Sequence, residues 1–142
     1  MDRGSAWGEA DFAGLLRSPG VFALGDGRGI ALGRVAADEA ELLTLAVLPE
    51  YRGSGLGRGL LAGFEAGARA RGATVAHLEV AAGNAPAIFL YRAGGYAEVG
   101  RRAGYYRAPD RSRDDAVLMA RTLADEGARM TGEGPESGQK VY

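Results

Sequence analysis

The stretch Leu43-Thr44-Leu45-Ala46-Val47-Leu48-Pro49-Glu50-Tyr51-Arg52-Gly53-Ser54-Gly55-Leu56-Gly57 decides how the rest of the chain reads. Its first six residues form a mostly apolar, strand-like run that Pro49-Glu50-Tyr51-Arg52 breaks. Leu56, Leu60, Leu61, Phe64 and Ala68 then recur at helical spacing and predict a helix over 56–71, ended by Gly72. Glycines at 53, 55 and 57 let the backbone turn tightly and aim successive N–H groups into one concavity. The helix N-terminus adds partial positive charge, with Arg52 and Arg58 on either side. That is the chemistry of a phosphate or diphosphate cradle. The competing reading is an ordinary turn in a glycine-rich chain, and spacing alone leaves the two level. No lysine followed by serine or threonine closes the turn, so it is not a P-loop, and the dinucleotide fingerprint spacing is absent.

Upstream, Phe12, Leu15 and Leu16 predict a short helix over 9–17, after Trp7 and before Ser18-Pro19-Gly20. Strands are predicted over 21–24, 30–36 and 40–48, with links short enough for an antiparallel meander. Downstream, 74–80 reads as a strand with His77 and Glu79 on one face and Ala76, Leu78 and Val80 on the other. Asn84 has the form of an N-cap, with Pro86 in the first turn of a helix over 87–93 that ends at Gly94-Gly95. A strand begins at 96–99, a polar loop is expected over 104–113, and a last strand over 115–123. The order predicts an α/β fold with a mixed, mostly antiparallel sheet and flanking helices. A single domain over 7–123 and a disordered tail over 124–142 follow from the change to glycine and charge.

The 142 residues suit one domain. Seventeen Lys and Arg against 18 Asp and Glu argue against a broadly basic nucleic-acid surface. With no cysteine and His77 as the single histidine, thiolate chemistry and a multi-histidine metal site are excluded within the chain, and no metal is expected. No apolar run is long enough to span a membrane and no leader-like segment opens the chain, so the expected location is the cytoplasm. The 24 glycines, and Lys140 as the lone lysine, read as compositional bias of a genome rather than as function.

Three groups of side chains could carry chemistry. Glu79, near the end of an interior strand, is placed to act as a general base; the bland alternative is a strand-end carboxylate facing water. Tyr91 is a packing residue by default, although a phenol can protonate a departing group. Asn84 is a helix cap first and a ligand contact second, and His77 merely shares the face of Glu79. In Arg101-Arg102-Ala103-Gly104-Tyr105-Tyr106, the paired tyrosines either line a substrate groove or pack over the sheet edge.

Taken together, the Leu43–Gly57 run resembles the acetyl-CoA-binding motif of the GCN5-related N-acetyltransferases. Leu78-Glu79-Val80 with Asn84-Ala85-Pro86-Ala87-Ile88-Phe89-Leu90-Tyr91-Arg92-Ala93-Gly94-Gly95-Tyr96 resembles that superfamily's second motif region. Arg101-Arg102-Ala103-Gly104-Tyr105-Tyr106 and Asp115-Ala116-Val117-Leu118-Met119-Ala120-Arg121 narrow the resemblance to the RimI type, the ribosomal-protein-alanine N-acetyltransferases. The resemblance implies an acyl-CoA N-acyltransferase fold without the first N-terminal helix that relatives carry. It implies acetyl-CoA as co-substrate, no metal, and transfer to the N-terminal α-amine of a protein, with the N-terminal alanine of ribosomal protein S18 as acceptor. Neither nucleic acid nor membrane is contacted directly, and the state implied is a monomer or weak dimer.

By the same resemblance, backbone groups of Leu45, Ala46 and Val47 hold the acetyl and pantetheine portion. Those from Arg52, Gly53, Ser54, Gly55, Leu56, Gly57 and Arg58 hold the diphosphate, and Asn84 touches the pantetheine arm. Glu79 corresponds to the general base, Tyr91 to the acid that protonates the CoA thiolate, and Tyr105 and Tyr106 to the loop of the peptide groove. The chain departs from the pattern at Ala81, where relatives carry arginine, and in its polar tail. Two alternatives accompany this reading: an acetyltransferase for small amines or polyamines, and a non-catalytic acetyl-CoA-binding module.

Overall fold

The structure, a computed structural model, describes residues 9–107 and 113–123. Trp7, the middle of the expected polar loop and the expected tail over 124–142 lie outside the described residues. The elements run α1 (Glu9–Leu16), β1 (Val21–Asp26), β2 (Gly29–Ala36), β3 (Glu39–Val47), a 3-10 turn (Pro49–Tyr51), α2 (Leu56–Ala70), β4 (Val75–Ala81), α3 (Ala85–Ala93), β5 (Ala97–Arg107) and β6 (Arg113–Thr122). The six strands form one sheet in the order β1-β2-β3-β4-β6-β5. The meander β1–β2–β3 is antiparallel as the short links require, and β3–β4, joined through α2, is the parallel pair. The second crossover, through α3, lands β5 beyond β6, which lies between β4 and β5 and is antiparallel to both. Among the described residues no helix is long and apolar enough to cross a membrane.

Helix α2 forms where the apolar spacing predicts it and buries Leu60, Leu61, Phe64 and Ala68. It packs on one face of the sheet, in a core with Phe22, Ala31, Leu42, Ala76, Leu78, Val80, Val117 and Met119. Two glycines make the approach close enough. A Cβ on Gly67 would lie 2.6 Å from the Phe22 ring, and one on Gly33 would lie 2.6 Å from the Phe64 ring. Between them Phe22 and Phe64 stack, centroids 6.0 Å apart. At these positions the glycine excess is a packing requirement rather than a bias of composition.

Glu65 is the buried charged residue of the described structure, 4% exposed beside Phe64. The Tyr96 hydroxyl donates to its Oε2 at 2.8 Å, and Arg121 Nη1 lies 3.2 Å from Oε1 while also donating to the Gly94 carbonyl at 3.0 Å. This network ties α2 to the end of α3 and to β6. Removing one partner would strand a buried charge, a loss of about 3–5 kcal/mol.

One prediction is corrected. The segment expected as a polar loop over 104–113 is strand at both of its described ends: β5 runs to Arg107 and β6 begins at Arg113, with Tyr106 opposite Asp114 and Arg107 opposite Arg113. Gly104, at φ 61, and a register shift between Arg102 and Tyr106 absorb an irregularity that reads locally as a loop. Asp115 pins it, accepting from the Gly104 N–H at 2.9 Å and pairing with Arg101 at 3.1 Å. Those two contacts, the Gly104 N–H first, hold the Asp115 carboxyl below the usual carboxylate range. Tyr105 and Tyr106 therefore belong to a strand at the sheet edge.

Candidate active site

The centre of the sheet opens. Strands β3 and β4 pair only over Glu39–Val75, Ala40–Ala76 and Glu41–His77. Beyond that point β3 stays paired with β2 as far as Val47, and β4 stays paired with β6 as far as Ala81, so the two part from each other while each keeps its outer neighbour. The cause lies in β3. Gly33 faces Leu42 but Leu32 faces Thr44, which leaves Leu43 as an extra residue at the position where pairing with β4 has just ended. A bulge of this kind bends its strand and interrupts the ladder. Among the described residues the inner edge of β3 from Leu42 onward, Leu45, Ala46 and Val47 included, thus has no strand neighbour, so polar backbone groups along it face the gap, where an extended ligand can meet them, although the Val47 carbonyl already accepts one hydrogen bond, from Arg52. Leu45 and Val47 turn their side chains toward the core, and Ala46 is exposed on the other face.

The glycine-rich turn lies at the mouth of this gap. Arg52 Nε donates to the Val47 carbonyl at 3.0 Å and braces the turn against the end of β3, while the Ser54 hydroxyl donates to the Tyr51 carbonyl at 2.6 Å and ties the turn to the 3-10 turn before it. Gly53 and Gly55 adopt φ of 79° and 89°, and Gly55 is the N-cap of α2. A Cβ at either would meet no atom within 4 Å, so the surface above them is open. Among the described residues no hydrogen bond is donated by the N–H groups of Gly53, Ser54, Gly55, Leu56 or Gly57. Free donors at a helix N-terminus, with room in front of them, fit a diphosphate. Gly57 differs from its neighbours: it is helical, and a Cβ there would sit 3.5 Å from Leu90 of α3. Arg58 is exposed at the same end of α2.

Glu79 and Tyr91 lie on opposite sides of the sheet. Burial along β4 alternates as expected, with Ala76, Leu78 and Val80 in the core and His77 and Glu79 on the other face. Tyr91, from α3, is 8% exposed within the same core as Leu78 and Val80, its ring edge-on to Tyr96 at 6.1 Å. Burial pushes its phenol up to about 12. Tyr91 therefore keeps its proton at any ordinary pH, as a hydrogen-bond or proton donor must. Glu79 keeps 27% of its side chain exposed and is paired with Arg102, whose Nη1 lies 3.3 Å from Oε2. A ligand passing through the gap between β3 and β4 would have a carboxylate on one side and a phenol on the other.

The remaining predicted residues are distributed around this core. Asn84 caps α3, its Oδ1 accepting from the Ala87 N–H at 3.3 Å, and the turn before it is held by the Gly83 N–H to Asp114 at 2.8 Å. Tyr105 is about half exposed, with the Arg102 guanidinium 5.0 Å from its ring centroid. Tyr106 is described in its backbone only. His77 pairs with Glu39 at 3.3 Å at the closed end of the β3–β4 pairing and is not drawn to Glu79. Arg102 had no role assigned from sequence; its reach to Glu79 depends on strand order, which no local pattern encodes. Among the described residues no group of three or more His, Asp or Glu is placed to hold a metal.

A sheet opened at its centre by a bulge, beside a helix N-terminus with free donors, is the construction of an acyl-CoA N-acyltransferase, and the chain belongs to the acetyltransferase (GNAT) family, whose sequence profile matches residues 12–96. It is similar to the [ribosomal protein bS18]-alanine N-acetyltransferase of Escherichia coli strain K12, with 43% identity over 90 residues, 63% of this chain and 60% of that protein. The match thus spans under two thirds of that relative's length. The crystal structure of the ribosomal-protein-S18-alanine N-acetyltransferase from Escherichia coli superposes with a TM-score of 0.75 at 33% identity, covering 96% of this chain and 83% of that one. Arabidopsis thaliana NAA60, solved in complex with acetyl-CoA, shares the fold at a TM-score of 0.68 and 19% identity, over 82% of this chain and 84% of that one.

Proposed function

We propose that the chain is an acetyl-CoA-dependent N-acetyltransferase of the cytoplasm, with one catalytic domain over 7–123. Its proposed acceptor is the N-terminal α-amine of a protein, and the N-terminal alanine of ribosomal protein S18 is the acceptor its similarity favours. The observation that carries the reading is the unpaired edge of β3 running into a turn with five free N–H donors. An extended acyl thioester whose pantetheine arm leads to a diphosphate needs both features in that order.

Acetyl-CoA supplies an acetyl group already activated as a thioester. In this reading the edge of β3 at Leu45, Ala46 and Val47 hydrogen-bonds the acetyl and pantetheine portion, and the N–H groups from Gly53 to Arg58 hold the diphosphate with Arg52 beside them. Asn84 spends its Oδ1 on the helix cap and retains its amide N–H groups for the pantetheine arm. The acceptor enters on the Glu79 face, along a groove to which Tyr105 and Tyr106 contribute. Its nitrogen attacks the thioester carbonyl carbon while Glu79 takes the amine proton, directly or through one water. Charge gathering on the carbonyl oxygen is met by an N–H near Val47. As the C–S bond breaks, Tyr91 gives its proton to sulfur; solvent then restores the proton to Tyr91 and removes it from Glu79.

The test is CoA release by the purified chain with a peptide bearing the S18 N-terminus, with mass spectrometry of the product. One acetyl group on the free α-amine, and none on an α-amine-blocked peptide, is the expected result. Turnover confined to a panel of polyamines would move the acceptor to small amines. Tight acetyl-CoA binding with no turnover on any acceptor would overturn the catalytic reading in favour of a binding module.

A further inference from the structure

Arg102 starts two strands away from Glu79, yet its guanidinium meets that carboxylate at 3.3 Å. The path runs across β6 on the face opposite the core. Arg102 faces Ala116, which faces Ala81; in the next row Gly100 faces Leu118, which faces Glu79. Ala116 is small and fully buried, and Leu118 leans over Gly100, where a Cβ would lie 3.1 Å from its Cδ1, so a long side chain can lie across β6 at Ala116. The guanidinium also lies 5.0 Å from the centroid of the Tyr105 ring, within reach of a cation–π contact. The oxygen that Arg102 approaches, Glu79 Oε2, is shut off from solvent and among the described residues has no hydrogen bond, so the 3.3 Å contact is an ion pair. The 27% of the side chain that solvent reaches is therefore elsewhere on the group. His77, the other titratable group on this face of β4, is engaged with Glu39.

We propose that Arg102 is a positioning residue for acetyl transfer: held between the Tyr105 ring and Glu79, it occupies the inner carboxylate oxygen and turns the outer one toward the acceptor amine. The inference rests on the reading of Glu79 as the base. A glutamate has three side-chain torsions, and a base must be in line with the proton it accepts, so an unanchored carboxylate would have to be ordered at every turnover. An ion pair with this much exposure contributes little to folding, which separates its effect on the reaction from any effect on stability.

Kinetics of Arg102→Gln, Arg102→Lys, Glu79→Gln and the double variant Arg102→Gln/Glu79→Gln on the same peptide provide the test. Arg102→Gln is expected to lower kcat about tenfold with the KM for acetyl-CoA within about twofold, and Arg102→Lys to restore most of the loss. In the double variant the arginine change should cost nothing beyond Glu79→Gln, because there is no base left to position. An unchanged kcat in Arg102→Gln, or losses that multiply in the double variant, would overturn the proposal. Full turnover in Glu79→Gln would instead overturn the assignment of the base itself. An NMR measurement on the free protein needs no turnover: the Arg102 Nε–H resonance should shift and exchange faster with water in Glu79→Gln. A resonance indifferent to that substitution would show that the pair does not hold in solution, and the proposal would fall with it.

Discussion

The two faces of β4 place different demands on the same seven residues. Ala76, Leu78 and Val80 are buried against the α2 side, in the core that also holds Tyr91, whereas His77 and Glu79 carry the strand's charge and remain partly open to water. The first face is made by close packing and the second by charge pairing: Glu79 with Arg102, His77 with Glu39. Substitutions on the core face should therefore register in stability and those on the open face in turnover. A strand that separates these roles side by side lets each be measured without the other.

The sharpest test of that separation is Glu79→Gln. Turnover should fall about 10²–10⁴-fold, the usual contribution of a positioned general base. Acetyl-CoA affinity measured by calorimetry and the melting temperature should barely move. A variant that melts early with its specific activity intact would erase the distinction between the faces.

Leu78→Ala, one residue away, should do the reverse. Truncating a buried leucine costs about 2–5 kcal/mol. Urea unfolding should show the loss, while activity per folded molecule stays near that of the parent.

The core face also predicts a response to alkali. Tyr91, pushed up to about 12 by burial, and Tyr96, raised by burial and by Glu65, stay neutral in the folded protein where unfolded tyrosines ionise near 10. Above pH 10 the unfolded state binds fewer protons than the folded one, so stability falls as pH rises through the interval from 10 to about 12. Each tyrosine contributes up to about 1.4 kcal/mol per pH unit to that slope. Tyr91→Phe should flatten the slope by one group, and slow the reaction about tenfold if the phenol donates to the leaving thiolate. Alkaline unfolding curves with the same slope in parent and variant would contradict the burial argument.

The smallest effect is expected at His77. It shares the open face with Glu79, but its partner is the exposed Glu39. His77→Ala should change stability by no more than about 0.5 kcal/mol and turnover by less than about twofold. A larger loss of turnover would extend the reactive part of the face to the closed end of the β3–β4 pairing.

What was legible in the sequence was local. The apolar stripe of α2, the alternation that puts Glu79 opposite Leu78 and Val80, the Asn84 cap with Pro86 behind it, and the turn at Gly53 and Gly55 each follow from neighbours a few residues apart, and each is where it was expected. Such features are set by backbone geometry and by the period of burial, both of which the chain carries in its order of residues. The β5 segment around Gly104 misled for a related reason. A glycine at positive φ among polar residues looks the same in a loop as in a bulged strand, and only the partner strand separates the two.

The rest required the folded chain. Nothing near Leu43 announces a bulge, because a bulge exists only relative to the strand it faces, here Gly33 and Leu32 of β2. The insertion of β6 between β4 and β5 places Arg102 within reach of Glu79, and Glu65 became an anchor only when Tyr96 and Arg121 came to it from other elements. Residue order alone determined most of the elements, their burial faces and the glycine turn at the start of α2, since those are short-range consequences of spacing and backbone freedom. The tertiary structure decided where the sheet opens and which charges meet there, since both depend on the register of strands far apart in the chain, and register is settled by the packing of the whole sheet.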